Sequence, residues 1–200
     1  MGPNPHTKNE NPSIIVIDDF LSNPDDHREY ALTVEYEKKG SIGLRSKVPN
    51  QHFGYKDIFQ HILQKNICDW ENAVNGCYQW CQAKDPLVYH VDGQAYAGAL
   101  FLTPDADLNS GTSFWKSKQS GLCEFYPEDE PQFGDLTFGK HNEHVKDPEQ
   151  WELVDRIANR YNRLVLWNGR KIHSASSYFG DSLNNGRLFQ VFFFDCEETF

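Results

Sequence analysis

Arg187-Leu188-Phe189-Gln190-Val191-Phe192-Phe193-Phe194 is the stretch on which the fold turns. Side chains of an extended chain alternate between faces, so Arg187, Phe189, Val191 and Phe193 share one side, and Leu188, Phe192 and Phe194 the other. A strand apolar on both faces has to be covered on both, which makes it a central strand. Working outward, residues 77–82, 87–90, 97–102, 113–115, 163–167 and 171–176 read as further strands. Asp85-Pro86, Gly169 and Asn184-Asn185-Gly186 supply the turns between them. Ile14–Ile17 is an earlier short strand, 104–111 a turn-rich loop, and 127–147 an irregular stretch.

Helices are expected at three places. Asn23 can cap, Pro24 suits the first helical position and Asp25 and Asp26 favour the dipole, so a helix should run to about residue 36. Phe59, Ile62, Leu63 and Ile67 recur at helical spacing. Asp147-Pro148 opens a third helix, with Trp151, Val154, Ile157, Ala158 and Tyr161 on one face. The expected class is mainly β with flanking helices. A polar arm, 1–12, precedes one domain, 13–200, with no internal repeat.

The composition of 14 Phe, 9 Tyr, 5 Trp and a single Met suits a β-rich interior. A net charge of −10 opposes non-specific binding to nucleic acid or an anionic membrane. No apolar run reaches spanning length, and the first residues lack the apolar core of a secretory signal. The five cysteines, 68, 77, 81, 123 and 196, have no framework spacing, so reduced thiols and a cytoplasmic setting are expected.

The chemistry-bearing residues are His90, Asp92, His173 and Arg187. On a strand, His90 and Asp92 point to one face while Val91 points to the other. A histidine from a distant strand completes two imidazoles and one carboxylate, the set that holds non-haem Fe(II) with positions left open. In isolation each histidine reads as a structural residue; the conjunction favours metal. Arg187 stands 14 positions past His173 and shares a face with aromatic and aliphatic side chains. An arginine aimed at such a face is costly unless an anion meets it. The competing reading is a strand-end arginine that reaches solvent or Asp181.

These residues resemble the Fe(II)/2-oxoglutarate-dependent dioxygenase superfamily, in the manner of its smaller prolyl-hydroxylase-like members. The resemblance lies in Tyr89-His90-Val91-Asp92, in 97–102 with Ser110-Gly111-Thr112-Ser113-Phe114-Trp115, in 162–169 running to His173-Ser174, and in Arg187 with its strand. It covers about 77–195, the implied catalytic barrel. It implies a double-stranded β-helix, the jelly roll or cupin-like barrel, with iron on His90, Asp92 and His173. It implies 2-oxoglutarate as co-substrate with its far carboxylate on Arg187, and O2 as oxidant. Hydroxylation would accompany decarboxylation to succinate. Where many members carry a hydroxyl residue two positions after the arginine, this chain has Phe189; Tyr96, Tyr78 or Thr112 are the candidate replacements.

The implied substrate is an amino acid, a peptidyl side chain or a small metabolite; oligomeric state is left open. Two other readings remain: a cupin-like metal enzyme that does not use 2-oxoglutarate, and a non-catalytic jelly-roll binding module. Among secondary candidates, His141 with His144 reads as a solvated loop, and Glu128-Asp129-Glu130 as surface. Trp115, Lys116 and Lys118 either line a substrate mouth or form a solvated rim. Arg45 and Lys47 are expected to be free surface charges in the loop 40–49, with contact to an acidic substrate the lesser alternative.

Overall fold

The computed structural model describes residues 12–39, 42–126 and 146–197. Its elements, in order, are β1 (Ile14–Ile17), α1 (Pro24–Thr33), β2 (Tyr36–Glu37), β3 (Leu44–Ser46), α2 (Phe53–Leu63), β4 (Tyr78–Cys81), β5 (Tyr96–Phe101), β6 (Thr112–Ser117), β7 (Trp151–Ile157), β8 (Leu164–Asn168), β9 (His173–Ala175) and β10 (Arg187–Phe194). The sheets follow the order β1-β8-β5-β10-β4-β3-β2 and β7-β6-β9, and every strand pairing is antiparallel. This is the double-stranded β-helix, mainly β with flanking helices.

β10 lies in the middle of the larger sheet, between β5 and β4, as its two apolar faces require. Its inward residues Phe189 and Val191 join Phe101, Val165 and Trp167 in a core between the sheets. Its outward residues Leu188, Phe192 and Phe194 pack with Phe59, Leu63 and Trp70 in a second core against the helices. Gln190 is the polar residue on that outer face. It is satisfied by His27 Nε2 at 2.9 Å and by donating to the carbonyls of Asn50 and Gly76. Each buried apolar side chain here contributes about 1.5–3 kcal/mol, and burial on both faces doubles the yield per strand.

Several sequence expectations need correction. Residues 147–161 do not form a helix. After a 3-10 turn at Pro148–Gln150, the chain runs as β7 along β6. Only Trp151 of the supposed helical face is deeply buried, while Val154 remains 48% exposed. With no apolar surface for a helical stripe to cover, pairing with β6 satisfies the backbone instead. Residues 87–89 lie in no ladder; His90 makes a single bridge. α1 ends at Thr33, and Asn23 makes no side-chain cap. The second helix stops at Leu63, with Gln64 in the left-handed conformation at its end.

Most of the arm 1–12, the stretch 127–145, the His141/His144 pair and the acidic run 128–130 lie outside the described residues. The five cysteines are free thiols. Among the described residues, no helix is long and apolar enough to cross a membrane.

Candidate functional site

The segment 88–92 leaves the ladder but remains extended, so alternation still acts on it. Val91 is fully buried in the inter-sheet core, while His90 and Asp92 turn to the opposite side. His90 and His173 form an antiparallel bridge, and Asp92 N–H donates to Gly169 O at 2.8 Å. Gly169 is required by space: a Cβ there would sit 2.1 Å from Gln94 O. β9 brings in His173 through its pairing with β6, opposite Phe114.

One ligand atom from each of His90, Asp92 and His173 lies within 4.8 Å of the others. His173 Nε2 is 3.2 Å from Asp92 Oδ2, and His90 Nε2 is 3.8 Å from Asp92 Oδ1. Each histidine is oriented the same way. His90 Nδ1 bonds Val88 O at 3.0 Å, and His173 Nδ1 bonds Lys171 O at 2.8 Å, in both cases the carbonyl two residues earlier. A carbonyl only accepts, so the proton of a neutral ring belongs on Nδ1, and Nε2 carries the lone pair toward the carboxylate.

Asp92 is 5% exposed, and its Oδ2 is buried with no hydrogen-bond partner. Burial alone would raise its pKa; positive charge at His173 and His90, with Arg45 farther off, holds the carboxyl below its usual range, and where the rings are neutral that charge has to come from a cation. A buried carboxylate oxygen facing an imidazole lone pair is unfavourable unless a cation lies between them. The donor set therefore fits a divalent metal with cis positions left for other ligands.

Arg187 is 3% exposed and lines the same cavity, of about 360 Å³. Its Nε donates to Ser110 O at 2.9 Å and its Nη2 to Gly111 O at 3.2 Å. The guanidinium carbon stands 4.3 Å from the Phe189 ring centre. Both carbonyls lie on the Nε/Nη2 edge, so the terminal Nη1/Nη2 fork is left for a carboxylate. Burial lowers its pKa from the ordinary value, opposed by Tyr178 and Cys81. Neither is its counter-ion: burial pushes the Cys81 thiol up to about 11 and the Tyr178 phenol far above its usual range. Arg187 thus reaches neither solvent nor Asp181.

Of the three candidate hydroxyls, Thr112 lines the cavity, next to the turn that holds Arg187. Tyr96 and Tyr78 belong to the helix-side core; Tyr96 stacks on Phe194 with centroids 5.6 Å apart, and Tyr78 OH bonds Asn50 and His27. Sequence position misjudged them because tyrosines at strand ends fall on either face, and pairing register decides which. Tyr178 was not singled out, yet it lines the cavity 5.9 Å from the Arg187 guanidinium carbon. It sits in an irregular segment with no periodicity to mark it.

Arg45 also departs from expectation. It belongs to β3 and lines the cavity, its side chain bonded to Gln79. A three-residue strand among glycines and a proline carries no alternation signal of its own. Lys47 is at the surface as expected, but it is paired with Glu35 at 2.7 Å rather than free. Trp115 and Lys116 are not in the cavity wall: Trp115 Nε1 donates to Ser174 Oγ, and Lys116 pairs with Glu152 at 2.6 Å across to β7. Lys118 N–H donates to Gln150 O, past the end of the same strand pair.

The fold has solved counterparts. HygX from Streptomyces hygroscopicus, with nickel and 2-oxoglutarate bound, superposes with a TM-score of 0.56 at 10% identity, over 90% of this chain and 81% of that one. SnoN, the non-heme alpha ketoglutarate dependent epimerase from nogalamycin biosynthesis, superposes with a TM-score of 0.52 at 13% identity, over 90% and 76%. At such identities the likeness is one of fold alone. No curated protein matches the chain by sequence. A family model does match, across residues 78–194, from β4 to the last residue of β10, and the chain therefore belongs to DUF6445, a family of unknown function.

Proposed function

We propose that the protein is an Fe(II)- and 2-oxoglutarate-dependent oxygenase that hydroxylates an amino acid, a peptidyl side chain or a small metabolite. The observation that carries this reading is the pairing, within one cavity, of a His-Asp-His cluster, buried at Asp92 and His173 and half-buried at His90, with a buried arginine that has no carboxylate partner among the described residues.

His90, Asp92 and His173 would hold the metal; two neutral imidazoles and one carboxylate would leave it a net charge near +1, which favours an anionic chelator. Bound Fe(II) supplies the one-electron chemistry with O2 that no side chain can perform. Val88 O and Lys171 O fix the imidazoles through Nδ1, so that Nε2 is ready for the metal without rearrangement. The Nη1/Nη2 fork of Arg187 receives the far carboxylate of 2-oxoglutarate, with the Thr112 hydroxyl beside it. Phe189, Val191, Phe193 and Trp167 line the space between and exclude water. The overall reaction joins 2-oxoglutarate, O2 and a substrate C–H to give succinate, CO2 and the hydroxylated product. HygX has 2-oxoglutarate bound and SnoN is an alpha ketoglutarate dependent epimerase, which supports the use of that co-substrate on this fold.

The test is an anaerobic titration with Fe(II) and 2-oxoglutarate. A visible metal-to-ligand charge-transfer band should appear only when both are present and be absent in His173→Ala. Admission of O2 should then release succinate. A folded protein that develops no band under these conditions lacks the proposed site.

A further inference from the structure

The cavity contains a second arginine that co-substrate binding does not use. Arg45 Nε and Nη2 both donate to Gln79 Oε1, at 3.1 and 2.6 Å. As at Arg187, a neutral acceptor holds the Nε/Nη2 edge, and the terminal fork is left over. Gln79 is itself oriented by Nε2 lying 3.8 Å from Cys81 Sγ. Among the described residues, Arg45 forms no salt bridge. The carboxylate nearest in electrostatic effect is Asp92, which faces the two histidines. A half-buried guanidinium lining an apolar cavity without an anion is unfavourable unless a ligand supplies one.

The register separates the two arginines. Arg45 pairs with Gln79, and Gln79 with Phe189, so Arg45 is two strands from β10 and level with Phe189. Arg187 is one inward step farther along. Strand spacing and rise put their Cα atoms about 12 Å apart, and the guanidinium carbons lie beside different rings of β10, Arg187 at Phe189 and Arg45 at Phe193. The Arg45 side chain extends toward the far end of β10, its guanidinium carbon 5.8 Å from the Phe193 ring centre. Phe193 is opposite Ala97, and the neighbouring Tyr96 pairs with Asn168, beside Gly169 and the Asp92 backbone. Ile42, Val74 and Val191 complete an apolar wall around it.

We infer that Arg45, steadied by Gln79, recognises a carboxylate on the primary substrate, and that this substrate is a small organic acid with an apolar body. The inference rests on the oxygenase reading above: Arg187 takes the co-substrate, and Arg45 orients the molecule to be oxidised beside the metal. Arg45 precedes the residues matched by the family model, while Gln79, Val191 and Phe193 lie within them.

The test uses the full chain loaded with Mn(II) and saturating 2-oxoglutarate, titrated calorimetrically with benzoate and with its neutral isostere benzamide. The wild type should prefer benzoate by at least about tenfold, the equivalent of one charge-assisted contact. Arg45→Gln should reduce the preference to within about threefold, and Arg45→Lys, which keeps the charge but loses the fork, should fall between. Both variants should still give the Fe(II)/2-oxoglutarate band. Three results overturn the inference: no benzoate preference in wild type, a preference that survives Arg45→Gln, or loss of the band in Arg45→Gln, which would make Arg45 the co-substrate residue. Should Arg45→Gln fail to fold, the wild-type comparison and Arg45→Lys decide. Failure of the oxygenase reading appears separately, as absence of the band in wild type. An Arg45-dependent benzoate preference in the metal-free protein would then still establish the carboxylate site.

Discussion

His90 and His173 exchange both backbone hydrogen bonds of one antiparallel bridge, His90 N–H to His173 O at 3.0 Å and His173 N–H to His90 O at 2.9 Å. Their rings lie with centroids 4.3 Å apart on the same side of that bridge. The backbone bridge therefore sets the spacing of the two imidazoles.

Replacing a ligand should accordingly remove metal and spare the fold. His173→Ala is expected to weaken Mn(II) or Co(II) binding by about two orders of magnitude or more, each order being about 1.4 kcal/mol. Its far-ultraviolet circular dichroism should match wild type. Calorimetric titration with the metal measures the affinity; a variant that binds normally would remove His173 from the centre.

Arg187→Ala removes the fork at the closed end of the cavity. The affinity for 2-oxoglutarate should fall on the order of 100-fold, in the range of about 2–5 kcal/mol for truncating a desolvated charge partner. The metal site should be unchanged. Thermal shift reads this directly: with metal present, 2-oxoglutarate at 100 times Kd should stabilise the wild type by about 2.7 kcal/mol and Arg187→Ala by far less at that concentration.

Gly111 connects the Arg187 anchor to the barrel through spacing alone. A Cβ at this position would lie 1.9 Å from Ile157 O and 2.8 Å from Asn159 N. Gly111→Ala must therefore displace the turn whose carbonyls hold Arg187. A loss of about 1–3 kcal/mol in urea unfolding is expected. The KM for 2-oxoglutarate should rise with it, while Mn(II) affinity stays near that of wild type.

Asp18 gives a pH signature remote from the site. Arg163 Nε and Nη2 meet its two oxygens at 2.6 and 3.0 Å, and Arg160 Nη1 adds a third contact at 2.9 Å. The Arg163 hydrogen bonds, with the charges of Arg163 and Arg160, outweigh burial and hold the Asp18 carboxyl below its ordinary value. A carboxyl depressed in the folded state stabilises above its unfolded pKa, and that stability is lost as pH falls through the folded value. The pair is substantially exposed, so the effect should reach at most about 1 kcal/mol. Denaturation series between about pH 6 and pH 2 should show Asp18→Asn less stable at the upper end and converging with wild type at the lower.

How much was legible depended on whether a segment's own pattern determined its placement. β10 could be read as central because both of its faces are apolar, and neither face could be left in water. His90 and Asp92 could be read as sharing a side because alternation in an extended chain is local. The segment 147–161 was misread because a spacing of three or four on a largely exposed edge strand fits a helix as well as a strand. No buried stripe was there to distinguish the two.

The sequence by itself determined the β-rich class, the central strand and the residue types able to hold a metal and an anion, since composition, alternation and donor chemistry are properties of neighbours along the chain. Tertiary structure alone decided which side chains share the cavity. It turned Tyr96 and Tyr78 toward the helices, put Thr112 and Tyr178 near Arg187, and brought Arg45 from an expected surface loop to the wall beside Gln79. The physical reason is register: a shift of one residue between paired strands exchanges inside for outside, and that pairing is set by residues far away in sequence.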